Sequence, residues 1–161
     1  MNDYNFAIGM EHEGEKFYRD QAMKNKDNAL YTICINLAED EKRHAQIIEY
    51  KIKQMPYDLG PMDTLAKAKS VFEGLGDFKL PQKETLNQFD FYRMAVDIEQ
   101  RSIELYTGYK ANAQSDKERE LLDYLVAQEK QHFETLDEIS RMIRQSMELF
   151  ENAEFGLRPE Y

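Results

Sequence analysis

Six residues in this chain have the types and spacing to do metal chemistry. They are Glu11, Glu41, His44, Glu99, Glu129 and His132. Two of the three histidines stand three residues after a glutamate, in Glu41-x-x-His44 and Glu129-x-x-His132. On a helix, that spacing puts both side chains on one face, where they can serve one ion. A further glutamate precedes each pair by the same 30 residues, Glu11 before Glu41 and Glu99 before Glu129. One Glu-x-x-His carries little information, but two in equivalent settings carry much more. Four carboxylates balance two divalent cations. Oxygen and nitrogen donors without thiolate favour iron or manganese over a structural zinc. Six protein ligands shared by two metals leave positions open for water, dioxygen or peroxide. Tyr18 and Tyr106 each follow an inward glutamate by seven residues. They are read either as ordinary core tyrosines or as partners that hydrogen-bond a ligand carboxylate and tune the site.

The elements that position these residues are helices. Apolar residues recur at helical spacing in Leu30, Ile33, Leu37 and Ile48, and again in Leu122, Leu125, Leu136, Ile139 and Ile143. Glu41 and His44 interrupt the first stripe, and Glu129 and His132 interrupt the second. The matching face of the first helix is Tyr4, Ala7, Glu11, Gly14, Tyr18 and Ala22. That of the third is Ala95, Glu99, Ser102 and Tyr106. An unpaired carboxylate in such an interior costs several kcal/mol (about) or becomes neutral. No Lys or Arg falls on these faces to compensate it. Long helices are expected at about 2–26, 28–54, 84–113 and 116–150. The short breaks Asn25–Asn28 and Asn112–Ser115 make two antiparallel hairpins. Ser115-x-x-Glu118 has the form of a capping box. Residues 55–83 hold three of the four prolines and a small amphipathic piece, about Met62–Leu75. They form a crossover along the bundle, and residues 151–161 form a short tail. No strand pattern occurs.

The chain repeats itself once. A shift of 88 residues lays Ala7 on Ala95, Glu11 on Glu99, Tyr18 on Tyr106 and Leu37 on Leu125. Glu41, Lys42 and His44 then fall on Glu129, Lys130 and His132. Two equivalent hairpins about a pseudo-twofold axis explain this, and the period is too long for a solenoid. The remaining singular residues read as ordinary structure. His12 points away from the ligand face, and Cys34 is a small core residue. Phe89, Phe91 and Tyr92 are core or dimer contacts, and Glu118, Arg119 and Glu120 belong to a solvated face.

The 161 residues suggest one domain over 1–161. With 31 acidic and 21 basic residues the formal charge is −10, which argues against nucleic acid or an anionic membrane as partner. A single cysteine excludes an internal disulfide, a CxxC pair and a cysteine-ligated iron–sulfur cluster. No apolar run approaches the ~20 residues of a membrane span. The segment Met1–Asn5 lacks the basic and apolar regions of a signal peptide, so a cytoplasmic location is expected.

These motifs resemble the rubrerythrin branch of the ferritin-like superfamily. The resemblance rests on "MEHEGEKFY" with Glu11 and Tyr18, "LAEDEKRHA" with Glu41 and His44, "IEQRSIELY" with Glu99 and Tyr106, and "VAQEKQHFE" with Glu129 and His132. It covers about residues 3–150. It implies an all-α, ferritin-like four-helix bundle with a long crossover between the second and third helices. It also implies a carboxylate-bridged centre of two iron ions, with manganese or zinc as substitutes in recombinant protein. Glu41 and Glu129 would bridge, Glu11 and Glu99 would be terminal, and one histidine would serve each iron. The implied function is a non-haem di-iron oxidoreductase that reduces peroxide or dioxygen. The alternatives are a ferroxidase-like protein that handles Fe(II) without organic turnover, and a bundle in which the metals only hold the fold. Many rubrerythrins carry a cysteine-ligated iron domain, which a chain with Cys34 alone cannot build. Electrons would come from a separate donor such as a rubredoxin, or from the substrate itself. Peroxidase-type relatives usually carry an extra glutamate one turn after the third-helix ligand, where this chain has Ser102. The family often forms homodimers.

Overall fold

The computed structural model describes residues 1–74 and 82–155, with side chains described outside 82–89, 146–147 and 149–155. Five helices make up the described chain: α1 (Tyr4–Lys24), α2 (Leu30–Ile52), α3 (Thr64–Glu73), α4 (Gln82–Ala111) and α5 (Asp116–Phe155). No strand occurs among the described residues. Helix α5 runs on to Phe155, so the first five residues expected in the tail are helical. Residues 156–161, together with Leu75 and Pro81, lie outside the described residues.

Helix ends follow side-chain chemistry. Asp3 caps α1, its carboxylate accepting from the Phe6 N–H at 3.1 Å. Asn28 Oδ1 accepts from the Leu30 N–H at 2.9 Å just before α2. At α5, Ser115 Oγ accepts from the Glu118 N–H at 3.1 Å, as the capping box requires. The return bond differs. Glu118 Oε1 takes the N–H of Gln114 at 2.6 Å, one residue before the cap. Glu118 is also not a solvated charge, being only 7% exposed. Its Oε2 accepts from the Tyr4 phenol and from Asn2, which ties the start of α1 to the start of α5. Spacing alone placed Glu118 among neighbouring exposed charges, because its partners come from the distant N-terminus.

Four helices make the bundle. Helix α1 packs along α2, and α4 along α5. Across the bundle, Tyr18 meets Glu99 and Tyr106 meets Glu11, so α1 and α4 are antiparallel neighbours. His44 meets Glu129 and His132 meets Asp40, which makes α2 and α5 antiparallel as well. Helices α2 and α4 therefore run in the same direction, and the chain must travel the length of the bundle between them. Among the described residues of this connection, α3 packs on α5 and α2.

The buried residues of α1 are the six expected from periodicity: Tyr4, Ala7, Glu11, Gly14, Tyr18 and Ala22. Two apolar clusters fill the interior. One gathers Tyr18, Ile33, Leu37, Phe91, Leu136 and Ile139, and the other Ile47, Ile48, Tyr106, Leu121, Leu122 and Leu125. The acidic layer lies between them. Phe91 is buried and stacks on Phe17 at 5.8 Å, and Cys34 is buried too. Burial pushes the Cys34 thiol up to about 12. The Phe89 side chain falls outside the described residues.

Candidate metal centre

All six residues singled out by spacing come together in the middle of the bundle. Each is at most 1% exposed. They form two overlapping groups, Glu11 with Glu41, His44 and Glu129, and Glu41 with Glu99, Glu129 and His132. Within each group one donor atom per residue lies within 4.8 Å of all the others. Glu41 and Glu129 belong to both groups, whereas Glu11, Glu99 and each histidine belong to one.

The two histidines turn the same nitrogen inward. His44 Nδ1 lies 3.1 Å from Glu129 Oε1 and 3.5 Å from Glu11 Oε2. His132 Nδ1 lies 2.9 Å from Glu41 Oε1 and 3.3 Å from Glu99 Oε1. The outer nitrogens have partners that spacing did not reveal. His132 Nε2 is 2.9 Å from Asp40 Oδ2, and His44 Nε2 is 3.1 Å from Gln128 Oε1. A signal was present in the sequence, because Asp40 and Gln128 are themselves 88 residues apart and each precedes an inward glutamate.

The tyrosines also come in a symmetric pair. Tyr18 donates its phenol to Glu99 Oε1 at 2.5 Å, and Tyr106 donates to Glu11 Oε1. Burial, reinforced by the neighbouring carboxylates, pushes both phenols well above their ordinary range, so both stay neutral donors. Each bonded glutamate keeps its second oxygen, Oε2, buried without a partner.

Gly14, on the inner face of α1, serves one of the carboxylates. A Cβ there would stand 3.0 Å from Glu41 Oε2. The missing side chain therefore makes room for the Glu41 carboxylate. Ser102 is buried and donates to the Ile98 carbonyl at 3.1 Å, with Met10 Sδ at 3.8 Å. His12, as expected, lies on the outside, its side chain 60% exposed.

The electrostatics of these groups is that of anions forced together. Burial, then repulsion from Glu11, Glu129 and Glu99, raises Glu41 well above the usual carboxylate range. Burial and Glu129 raise Glu99 likewise. Burial opposes charge on Glu129 too, but bonds from Glu99, His132 and His44 hold it well below that range. Burial works against a charged His44, yet Glu11 and Glu129 outweigh it and raise the imidazole to about 10. The protein's own groups thus tolerate the cluster only by taking up protons.

Hydrogen bonding points the same way. Among the described residues, the buried side-chain atoms without a hydrogen-bond partner are Glu11 Oε2, Glu41 Oε1, Glu99 Oε2, Glu129 Oε2, His132 Nδ1 and Arg43 Nε. All but the last belong to the cluster and aim lone pairs into it. Orphaned buried donors and acceptors are rare in folded proteins. A pair of divalent cations would satisfy all five, and the oxygen and nitrogen donor set suits such ions. The residues present fit a two-metal centre.

The sequence model of the family described as Rubrerythrin matches residues 5–140. The chain belongs to the rubrerythrin family. The match spans all six cluster residues and ends before the last part of α5. No curated protein and no solved structure matches the chain. Family and fold therefore agree with an all-α, ferritin-like bundle. Among the described residues no helix is long and apolar enough to cross a membrane.

Proposed function

We propose that this member of the rubrerythrin family is a di-iron oxidoreductase that reduces peroxide or dioxygen. The observation that supports the reading best is the pair of overlapping ligand groups sharing Glu41 and Glu129. In this reading Glu41 and Glu129, which belong to both groups, would be shared by two ions. Glu11 and His44 complete one ion's set, and Glu99 and His132 complete the other's. Iron held there would supply the two electrons that, with two protons, reduce one peroxide to two waters.

The chain's own residues do the rest. Tyr106 and Tyr18 fix Glu11 and Glu99 through one oxygen each and leave the other free for an ion. The apolar clusters on either side keep the layer dry, which strengthens every charge interaction inside it. A cleft of about 440 Å³ runs between α1 and α4, lined in part by Gly9, Met10 and Leu105. Met10, which lines the cleft, touches Ser102 one turn from Glu99, which makes this the side from which we take a molecule the size of peroxide to approach. The electrons are restored by a separate donor, for which a rubredoxin-type protein is the expected kind, and the working assembly is a homodimer in the cytoplasm.

The test is anaerobic loading with Fe(II), followed by one equivalent of hydrogen peroxide under stopped flow. Rapid oxidation of both irons, with repeated turnover when a reductant is supplied, supports the proposal. Slow reaction with peroxide, alongside fast stoichiometric oxidation by dioxygen and retention of iron, would overturn it in favour of iron handling.

A further inference from the structure

The 88-residue repeat is broken beside the histidines. Asp40 and Gln128 occupy equivalent places, as do Arg43 and Gln131. On one side, His132 Nε2 meets Asp40 Oδ2, a carboxylate only 5% exposed. That oxygen also accepts from the Thr64 hydroxyl at the start of α3. Its partner Oδ1 accepts from Arg43 at 3.0 Å. On the other side, His44 Nε2 meets the fully buried amide of Gln128.

The amide's orientation is fixed. Gln128 Nε2 donates to the Pro61 carbonyl at 3.4 Å, and Oε1 accepts from Arg43 at 2.9 Å. Oε1 must therefore face His44 as an acceptor. When an ion displaces the cluster's protons, each imidazole keeps its hydrogen on Nε2 and is left with a lone pair on Nδ1 for the ion. The two acceptors differ in strength. A carboxylate behind a ligating histidine makes it a better donor to a metal. A neutral amide does less, and this one shares its oxygen with an arginine. The Glu ligands follow the repeat and supply no such difference.

We propose that Asp40 and Gln128 make the two metal positions unequal, so that the position served by His132 and Glu99 binds its ion first and more tightly than the one served by His44 and Glu11. Asp40 and Gln128 are positioning residues, since they act through the histidines. The inference rests on the two-metal reading above and adds an order of filling to it. Thr64, Arg43 and Pro61 extend the arrangement into the crossover, which thereby braces both imidazoles from outside the four-helix bundle.

The experiment is an anaerobic titration of the full-length, chelator-stripped protein with Co(II), followed by d–d absorption. Wild type is expected to take up two ions in two resolved steps at least about 10-fold apart. Asp40→Asn weakens the first step by about 10–100-fold and merges the two. The swap Asp40→Asn/Gln128→Glu restores two steps in reversed order. His132→Gln and His44→Gln assign them, the first abolishing the tight step of wild type and the second the weak one. A purely structural role for Asp40 would weaken both steps alike and would not let the swap reverse them. Two equal steps in wild type, or an Asp40→Asn protein that keeps the separation, would overturn the inference while leaving the two-metal reading intact. Uptake of fewer than two ions by wild type would overturn both.

Discussion

At the residue scale, the layer depends on groups that are absent as much as on those present. Gly14 lies in mid-helix, where glycine costs about 1 kcal/mol relative to alanine. What it provides is space for Glu41 Oε2. Gly14→Ala should therefore split two properties. The metal-free protein should melt at the same temperature or a few degrees higher, because the carboxylate end can yield a few tenths of an ångström. Metal affinity should fall by about 10-fold, as for other changes that move a ligand's support. Thermal melts with and without metal check both halves. Tyr18→Phe and Tyr106→Phe address the terminal glutamates. Each removes one donor from a buried carboxylate oxygen, which costs about 1–3 kcal/mol. The expected outcome for each is an intact helical spectrum with slower peroxide oxidation. The six inward residues were legible because helical periodicity and the 88-residue shift both pointed to them. Asp40 and Gln128 were overlooked because they neighbour ligands in sequence, and a position beside an inward residue usually faces out. Only packing of α5 and the crossover against that flank buries them.

At the element scale, helix existence and pairing were readable, while the ends were fixed by contacts distant in sequence. The capping signal at Ser115 was correct in its first half, but the partner of Glu118 Oε1 is Gln114. The rest of Glu118 is explained only by Tyr4 and Asn2, more than 100 residues away. Glu118→Ala should destabilise the fold by about 1–3 kcal/mol, since it leaves a buried phenol unsatisfied. That is about 2–4 °C of melting temperature per kcal/mol for a chain of this size. Arg119→Ala, one residue along on the exposed face, should change it by less than a degree or two. The crossover helix was placed at about Met62–Leu75 and is Thr64–Glu73. Its link to the site through Thr64 and Asp40 had no sequence signal, because nothing in a hydroxyl's neighbours says which carboxylate it will reach.

At the scale of the whole molecule, the bundle encloses a charge that its own atoms cannot neutralise. Glu41 and Glu99 are raised above 4.5 and His44 from 6.5 to about 10, and His132 is raised as well. A group whose value is raised on folding stabilises fully below its unfolded value, and that contribution is lost as pH climbs through the folded one. Asp40, lowered to about 2, and Glu129 act oppositely, lending stability that is lost only in acid. The metal-free protein should therefore be most stable near pH 5–6 and lose melting temperature steadily toward pH 9–10. Glu41→Gln/Glu99→Gln should flatten that slope, which separates the cluster from the general charge of −10. In the loaded protein metal replaces the protons, so the melting temperature should hold or rise from pH 6 to 8.

The central claim is that one buried layer of six residues holds two ions. Metal content measured by mass spectrometry after anaerobic Fe(II) loading and desalting tests it most directly, with the Mössbauer spectrum of the same sample. The account predicts two irons per chain in wild type, both high-spin ferrous with oxygen and nitrogen ligation. Glu41→Ala/Glu129→Ala should retain fewer than one. Wild type that keeps one iron or none, or a double variant that still keeps two, would contradict it.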